Sequence, residues 1–228
     1  LTLGRACGLA EKILGSRGLR QNTLLHAHGT GTPQNRVTES HVFNEIANAF
    51  SIDQWRVAGT KCYVGHSLGP AAGDQIVFAL GTFATGIAPG IATVQQFADD
   101  VHKDRIELSN QHRQEQRDHW QAAFINSKGF GGNNATGLLL SDNSAMQLLQ
   151  KKHGQQAIAA YLDRNTQVRE KQAHYETALL DGHDNAIYHF GDRLVEGEAL
   201  SIDHDCIRIP GYDQPISLHI DNPFGSLE

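Results

Sequence analysis

No stretch of these 228 residues approaches the ~20 consecutive apolar positions that a membrane-spanning helix needs. Nor does the N-terminus carry the charged, apolar and small-residue regions of a secretory signal. Cysteine is scarce: Cys7, Cys62 and Cys206 stand far apart and form no C-x-x-C pair. That spacing excludes a disulfide framework and a cysteine-based zinc site, and fits the reduced thiols of a cytoplasmic protein. Basic runs are also missing. Lys and Arg number 19 against 25 Asp and Glu, for a net charge of −6, and no run exceeds Lys151-Lys152. Phosphate binding calls for a clustered basic face, so nucleic acid is not an expected partner. The first residue is Leu1, inside what reads as a helix, so the expectation is a piece of a longer protein. The terminal Leu227-Glu228 carries no inference.

What remains is an ordinary globular composition, 39% hydrophobic and 19% charged. Apolar residues at helical spacing predict a helix over 5–16, ending at a glycine. A short buried strand is expected at 23–27, running into Gly-Thr-Gly-Thr-Pro. An amphipathic helix follows over 37–50, with Val42, Phe43, Ile46, Ala49 and Phe50 on its inner side. A second strand at 55–59 leads through a glycine-rich loop to an apolar helix at 71–85. Residues 93–119 are polar, aperiodic and read as a partly helical surface excursion. Residues 122–127 and 135–140 form a strand and its hairpin partner. The alternation implies a mixed α/β layer structure. Composition shifts after Ser141, with helices over 144–180 broken at Gly154. Short strands are then expected at 186–190, 200–202, 206–209 and 216–220. The expected division is 1–141 and an appended region, 142–228.

Three glycine-rich frames carry the chemistry. His28 stands in His-Ala-His-Gly-Thr-Gly-Thr-Pro (26–33), and His66 in Thr-Lys-Cys-Tyr-Val-Gly-His-Ser-Leu-Gly-Pro-Ala-Ala-Gly (60–73). The third reads Asn-Ser-Lys-Gly-Phe-Gly-Gly-Asn-Asn-Ala (126–135). Each histidine follows a strand and precedes small residues that let a substrate arm approach. Two neutral imidazoles aimed at one carbonyl oxygen can stabilise an enolate, and the N–H groups of the Gly129–Gly132 turn can add to an oxyanion hole. On spacing alone, turn glycines and strand-capping histidines explain the same residues.

In order and spacing the frames resemble the later half of a β-ketoacyl-acyl-carrier-protein synthase, a condensing enzyme of the thiolase-like superfamily. That family's pattern is His-Gly-Thr-x-Thr-Pro, Lys-x-x-x-Gly-His-x-x-Gly-x-Ala-Gly and Asn-Ser-Phe-Gly-Phe-Gly-Gly-x-Asn. The resemblance covers about 1–141. It implies an α/β fold, the C-terminal half of a thiolase-like layered αβα architecture with a mixed sheet, followed here by an α+β extension. It also implies decarboxylative Claisen condensation of an acyl thioester with malonyl carrier protein, in fatty-acid or polyketide synthesis. His28 and His66 would stabilise the enolate, with Lys61 supporting the pair. Phe130 would supply an oxyanion-hole N–H and an acyl gate, and Thr30 and Thr32 would contact pantetheine. The substrates ride on the phosphopantetheine of an acyl carrier protein or on coenzyme A, and no cofactor or metal is implied. The family is usually dimeric. Its nucleophilic cysteine sits in a small-residue turn at a helix N-terminus. None of the three cysteines has that setting, so the nucleophile is expected in a half-fold outside this sequence.

The sequence departs from the family at Arg36, Gln75 and Lys128, where an acidic residue, a lysine-partnering glutamate and a phenylalanine are common, while Glu39 is retained. Three other readings stay open: a thiolase-like enzyme using coenzyme A thioesters, a non-catalytic chain-length-factor-like subunit, and a carrier-docking module using Arg36, Lys61 and Lys128. In the appended region, Asp181, His183, Asp184, His189 and Asp203-His204-Asp205 match no metal-ligand spacing, and no chemistry is assigned there.

Overall fold

A computed structural model describes residues 1–183, 190–192 and 194–221. The chain divides into two compact units, Leu1–Ala160 and Tyr161–Glu228.

The first unit begins with α1 (Thr2–Gln21) and β1 (Thr23–His26), then α2 (Pro33–Ala49) and β2 (Trp55–Ala58). A one-turn helix, α3 (Lys61–Val64), precedes α4 (Ala71–Thr85). Next come β3 (Ile87–Ala88), β4 (Ile106–Glu107), β5 (Arg113–Gln114), β6 (Ala122–Lys128) and β7 (Asn134–Leu140), with α5 (Asp142–His153) last. The main sheet has the order β4-β2-β1-β6-β7. β1 pairs in parallel with both β2 and β6, and β6 turns back as an antiparallel hairpin with β7. This is a mixed sheet with helices, as the α/β expectation required.

β1 is buried throughout, because it is central and covered on both faces. Leu25 faces a core built from Leu3, Cys7, Phe43, Val57, Trp55 and Phe124. Leu24 faces a second core with Ala79, Phe83, Trp120 and Ile125. Two buried tryptophans keep their N–H groups satisfied. Trp55 Nε1 donates to Thr23 Oγ1 at 3.0 Å, and Trp120 Nε1 to the Gly86 carbonyl at 3.1 Å. Both strand ends that matter, His26 and Ala58, are thus fixed side by side in a packed layer.

Local signals set several boundaries, and α2 starts at Pro33, ahead of the expected start at 37. Pro33 occupies the first turn of α2, where its missing N–H costs nothing. α4 ends at Gly86 in the left-handed conformation, φ 79°. Ser141 caps α5, accepting from Ser144 N at 3.2 Å, and Gly154 at φ 83° separates α5 from α6 (Gln155–Leu180). Other expectations need correction. Gly15, at φ 74° and ψ 167°, breaks the helix where a glycine end was expected, but a second helical stretch carries α1 on to Gln21. The buried side of α2 is Glu39, Ser40, Phe43 and Ala47, while Val42 is 45% exposed. Residues 93–119 hold no helix but β4 and β5 within irregular chain.

In the second unit, β8 (Ser201–Ile202), β9 (Cys206–Arg208) and β10 (Ile216–Ser217) form an antiparallel sheet of order β10-β9-β8. The strand expected at 186–190 falls almost wholly outside the described residues. Asp203 organises the β8–β9 turn: its carboxylate accepts from the N–H groups of Asp205 and Cys206 and pairs with Arg208 at 2.5 Å.

Candidate active site

The parallel sheet delivers the first two frames to one end of the fold. His28 follows β1 by two residues, and Lys61 follows β2 by three. His66 lies in the turn between α3 and α4, where Gly65 (φ 73°) and Leu68 (φ 62°) bend the backbone back. The His28 and His66 rings meet edge to face, centroids 5.3 Å apart at 81°. Leu68 N donates to His66 Nδ1 at 3.1 Å. The neutral His66 ring therefore carries its proton on Nε2, aimed away from that turn.

His28 is buried, and its Nδ1 has no partner while shielded from solvent. Its pKa lies below the ordinary imidazole value, first because burial disfavours the charged ring and next because the Lys61 ammonium stands nearby. His28 is thus neutral at physiological pH. Lys61 Nζ donates to the His28 backbone carbonyl at 2.5 Å. Burial lowers the Lys61 pKa as well, opposed by the carboxylates of Glu39 and Asp74. Asp74 also accepts from Ser67 Oγ, next to His66.

Glu39 is the hub that holds this arrangement. One carboxylate oxygen accepts from His28 N and Asn126 Nδ2, both at 2.8 Å. The other accepts from Gly29 N at 2.9 Å and Asn35 Nδ2 at 3.0 Å. A side chain 3% exposed therefore has four donors from three segments. Gly29 at φ 60° and Gly31 at φ 72° let the backbone turn its N–H groups inward. The sequence noted Glu39 only as retained. The signal was available, for a charged residue four before Phe43 lies on the apolar stripe of α2. Asn126, which also accepts from Thr136 Oγ1 at 3.0 Å, gave no such signal.

Among the described residues, Gln75 makes no hydrogen bond to Lys61. Its amide donates to the Ala27 and Asn126 carbonyls at 2.8 and 3.1 Å, tying β1 to β6 behind the histidines. Arg36 is engaged by Asp100 through two bonds of 2.8 Å, which takes it out of any free basic patch. Lys128 Nζ reaches Thr38 Oγ1 at 3.5 Å. The Thr30 and Thr32 hydroxyls lie 3.4 Å apart, Thr32 exposed and Thr30 half-buried. The third frame is a 3₁₀ turn with Gly131 and Gly132 at φ 78° and 84°, and Phe130 is 98% exposed at its start.

The cysteines are inert or displaced. Burial pushes the Cys7 thiol up to about 12 and also raises Cys206. Cys62 lies second in α3, so it does stand near a helix start, but a four-residue helix sums too few peptide dipoles to activate a thiol. Among the described residues, no helix is long and apolar enough to cross a membrane, and no group of three or more side chains could hold a metal ion.

No family model matches the chain. It is 43% identical over 227 residues to the β-ketoacyl-[acyl-carrier-protein] synthase FabY of Pseudomonas aeruginosa, matching all of this chain and 36% of that protein. Over its whole length the chain resembles a segment of a β-ketoacyl-[acyl-carrier-protein] synthase. The crystal structure of the ketosynthase FabY from P. aeruginosa is similar at a TM-score of 0.83, covering 98% of this chain and 35% of that one. The 3-oxoacyl-[acyl-carrier-protein] synthase 2 of Synechocystis sp. is 32% identical over 123 residues, 49% of this chain and 26% of that protein. Synthase 1 of Escherichia coli K12 is 31% identical over 113 residues, again 26% of its length. The chain thus spans about a third of its FabY relative, and its α/β fold is that of a ketosynthase segment.

Proposed function

We propose that this chain carries the enolate-stabilising part of a condensing active site. The observation that supports this reading best is the His28–His66 pair, edge to face at 5.3 Å, with Lys61 bound to the His28 carbonyl. A malonyl thioester held on the phosphopantetheine of an acyl carrier protein loses its carboxylate as carbon dioxide. The released electron pair forms an enolate, whose oxygen is held by the two neutral imidazoles. The enolate carbon then attacks an acyl-cysteine thioester, and the tetrahedral intermediate expels the thiolate to give a β-ketoacyl carrier. His28 and His66 act on the oxyanion. Lys61 positions the His28 loop and keeps that ring neutral. The Phe130 N–H serves the acyl oxyanion hole and its ring the acyl gate, while Thr30 and Thr32 bind the pantetheine arm. No resident cofactor is needed.

In this reading the nucleophile lies on chain outside these 228 residues. The raised thiols of Cys7 and Cys206 support that. So does the outer face of α4, where Ile76, Val77 and Leu80 are 38%, 66% and 52% exposed, an apolar strip suited to a covering element. The working protein would be a cytoplasmic homodimer in fatty-acid or polyketide synthesis.

The test is carbon dioxide release from malonyl carrier protein by the full protein and its His28→Ala and His66→Ala variants. Each variant should lose about 10²–10³-fold in rate, the effect of removing one oxyanion donor, while acyl transfer onto the nucleophile persists. Native rates in both variants would overturn the assignment.

A further inference from the structure

A cavity of about 470 Å³ lies on the face of the sheet that α2 covers, where Leu25 and Ala27 also point. The size falls in the ~300–1,000 Å³ range of small-molecule sites. Its walls are mainly apolar, with Phe43, Val57, Ile91, Val94, Phe97 and Ile106. Lys61 also lines it, while neither imidazole of the proposed site does.

The outer wall is the irregular segment 91–105, and it is clamped to α2 at three successive turns. Arg36 binds both oxygens of Asp100 at 2.8 Å. Ser40 Oγ accepts from His102 N at 3.1 Å, and Asn44 Oδ1 from Arg105 N at 2.8 Å. Residues four apart share one helix face, so the three clamps form a single seam. The cavity is therefore a built space behind an anchored strap.

Its charged lining selects the ligand. Arg36 is spent on Asp100, and Glu39 already accepts from four donors. Among the described residues, Lys61 Nζ has one hydrogen-bond acceptor, the His28 carbonyl, for its three N–H groups. Its remaining N–H groups offer an anion one point of attachment in an apolar space, beside the Glu39 and Asp74 carboxylates.

We propose that this cavity binds an unbranched medium-chain carboxylate, with the aliphatic chain against the Phe43–Ile106 walls and the head group on the Lys61 ammonium. This site goes beyond the condensation reading, and its test needs no turnover. The head group shares its ammonium with the His28 carbonyl, so occupation bears directly on the loop that carries His28.

Equilibrium dialysis of radiolabelled dodecanoate against the full protein, below its micelle concentration, tests the proposal. Saturable binding of one molecule per chain is expected. Ala98→Trp and Val94→Phe fill the cavity from two separate positions, and each should weaken binding at least tenfold with the far-ultraviolet dichroism unchanged. Lys61→Met should weaken dodecanoate about tenfold and leave dodecanol untouched, which separates a free carboxylate from the alkyl portion of an esterified chain. Uptake that does not saturate, or that both filling variants leave intact, overturns the site. Equal dodecanoate binding by Lys61→Met overturns the head-group assignment.

Discussion

Replacing Glu39 should unfold the site before it alters any chemistry. In Glu39→Ala, the buried His28 N–H and the half-buried Gly29 N–H lose their acceptor. Each such orphan costs about 1–3 kcal/mol. Asn126 loses its partner as well, whereas the half-buried Asn35 can turn toward water. The sum is about 3–5 kcal/mol. Glu39→Gln keeps the shape but sets an NH₂ group against two donors, for about 2–3 kcal/mol. Both tryptophans of the sequence, Trp55 and Trp120, are buried in the first unit, so their fluorescence reports its unfolding alone. With a urea slope of about 2 kcal/mol/M, the midpoint should fall by about 2 M for Glu39→Ala and about 1 M for Glu39→Gln, at unchanged slope. A Glu39→Gln midpoint within about 0.3 M of the native value would refute the hub.

Further outcomes follow from particular residues. Burial of His26, whose ring nitrogens are both unpartnered, lowers its pKa from 6.5 to about 4. Between those values the unfolded chain binds a proton that the folded chain refuses, so stability falls with pH by about 3 kcal/mol in total. His26→Leu should flatten that slope in urea midpoints measured across this range; an equally steep slope would count against it. Gly86→Ala should cost more than about 2 kcal/mol, because a Cβ there clashes with the Glu115 carbonyl oxygen and also meets the strain of φ +79°. Gly131→Ala, at φ +78° with nothing within 4 Å, should cost about 1 kcal/mol. Equal thermal shifts for the two would remove the packing argument. A thiol reagent at pH 8 should modify half-buried Cys62 first and Cys7 last, since burial holds the Cys7 thiol at about 12; mass-mapped labelling in the reverse order would contradict this.

Much of the frame was legible because its signals are local. α4 spans Ala71–Thr85 as its apolar run indicates, and β6–β7 follow from two apolar strands around a glycine turn. The strap at 91–105 was not legible. It has no period of its own, and its course is set by Arg36, Ser40 and Asn44, more than fifty positions earlier in the chain. The cavity it closes was hidden for the same reason. On α2, the expected inner residue Val42 lost to Glu39, because four donors make a buried carboxylate cheaper than the pattern of apolar residues suggested. The histidine pair was legible as types and spacing. Its edge-to-face geometry and the His66 tautomer depend on the Gly65–Leu68 turn.

The most direct test of the central claim is a double-mutant cycle on carbon dioxide release from malonyl carrier protein, using His28→Ala, His66→Ala and the double variant of the full protein. If both rings hold one oxyanion as a unit, each single change costs about 10²–10³-fold. The double variant then falls little further than either single one. Fully multiplicative losses would mean that the rings contribute independently and not as a unit, and a single variant at the native rate would mean that its histidine plays no part.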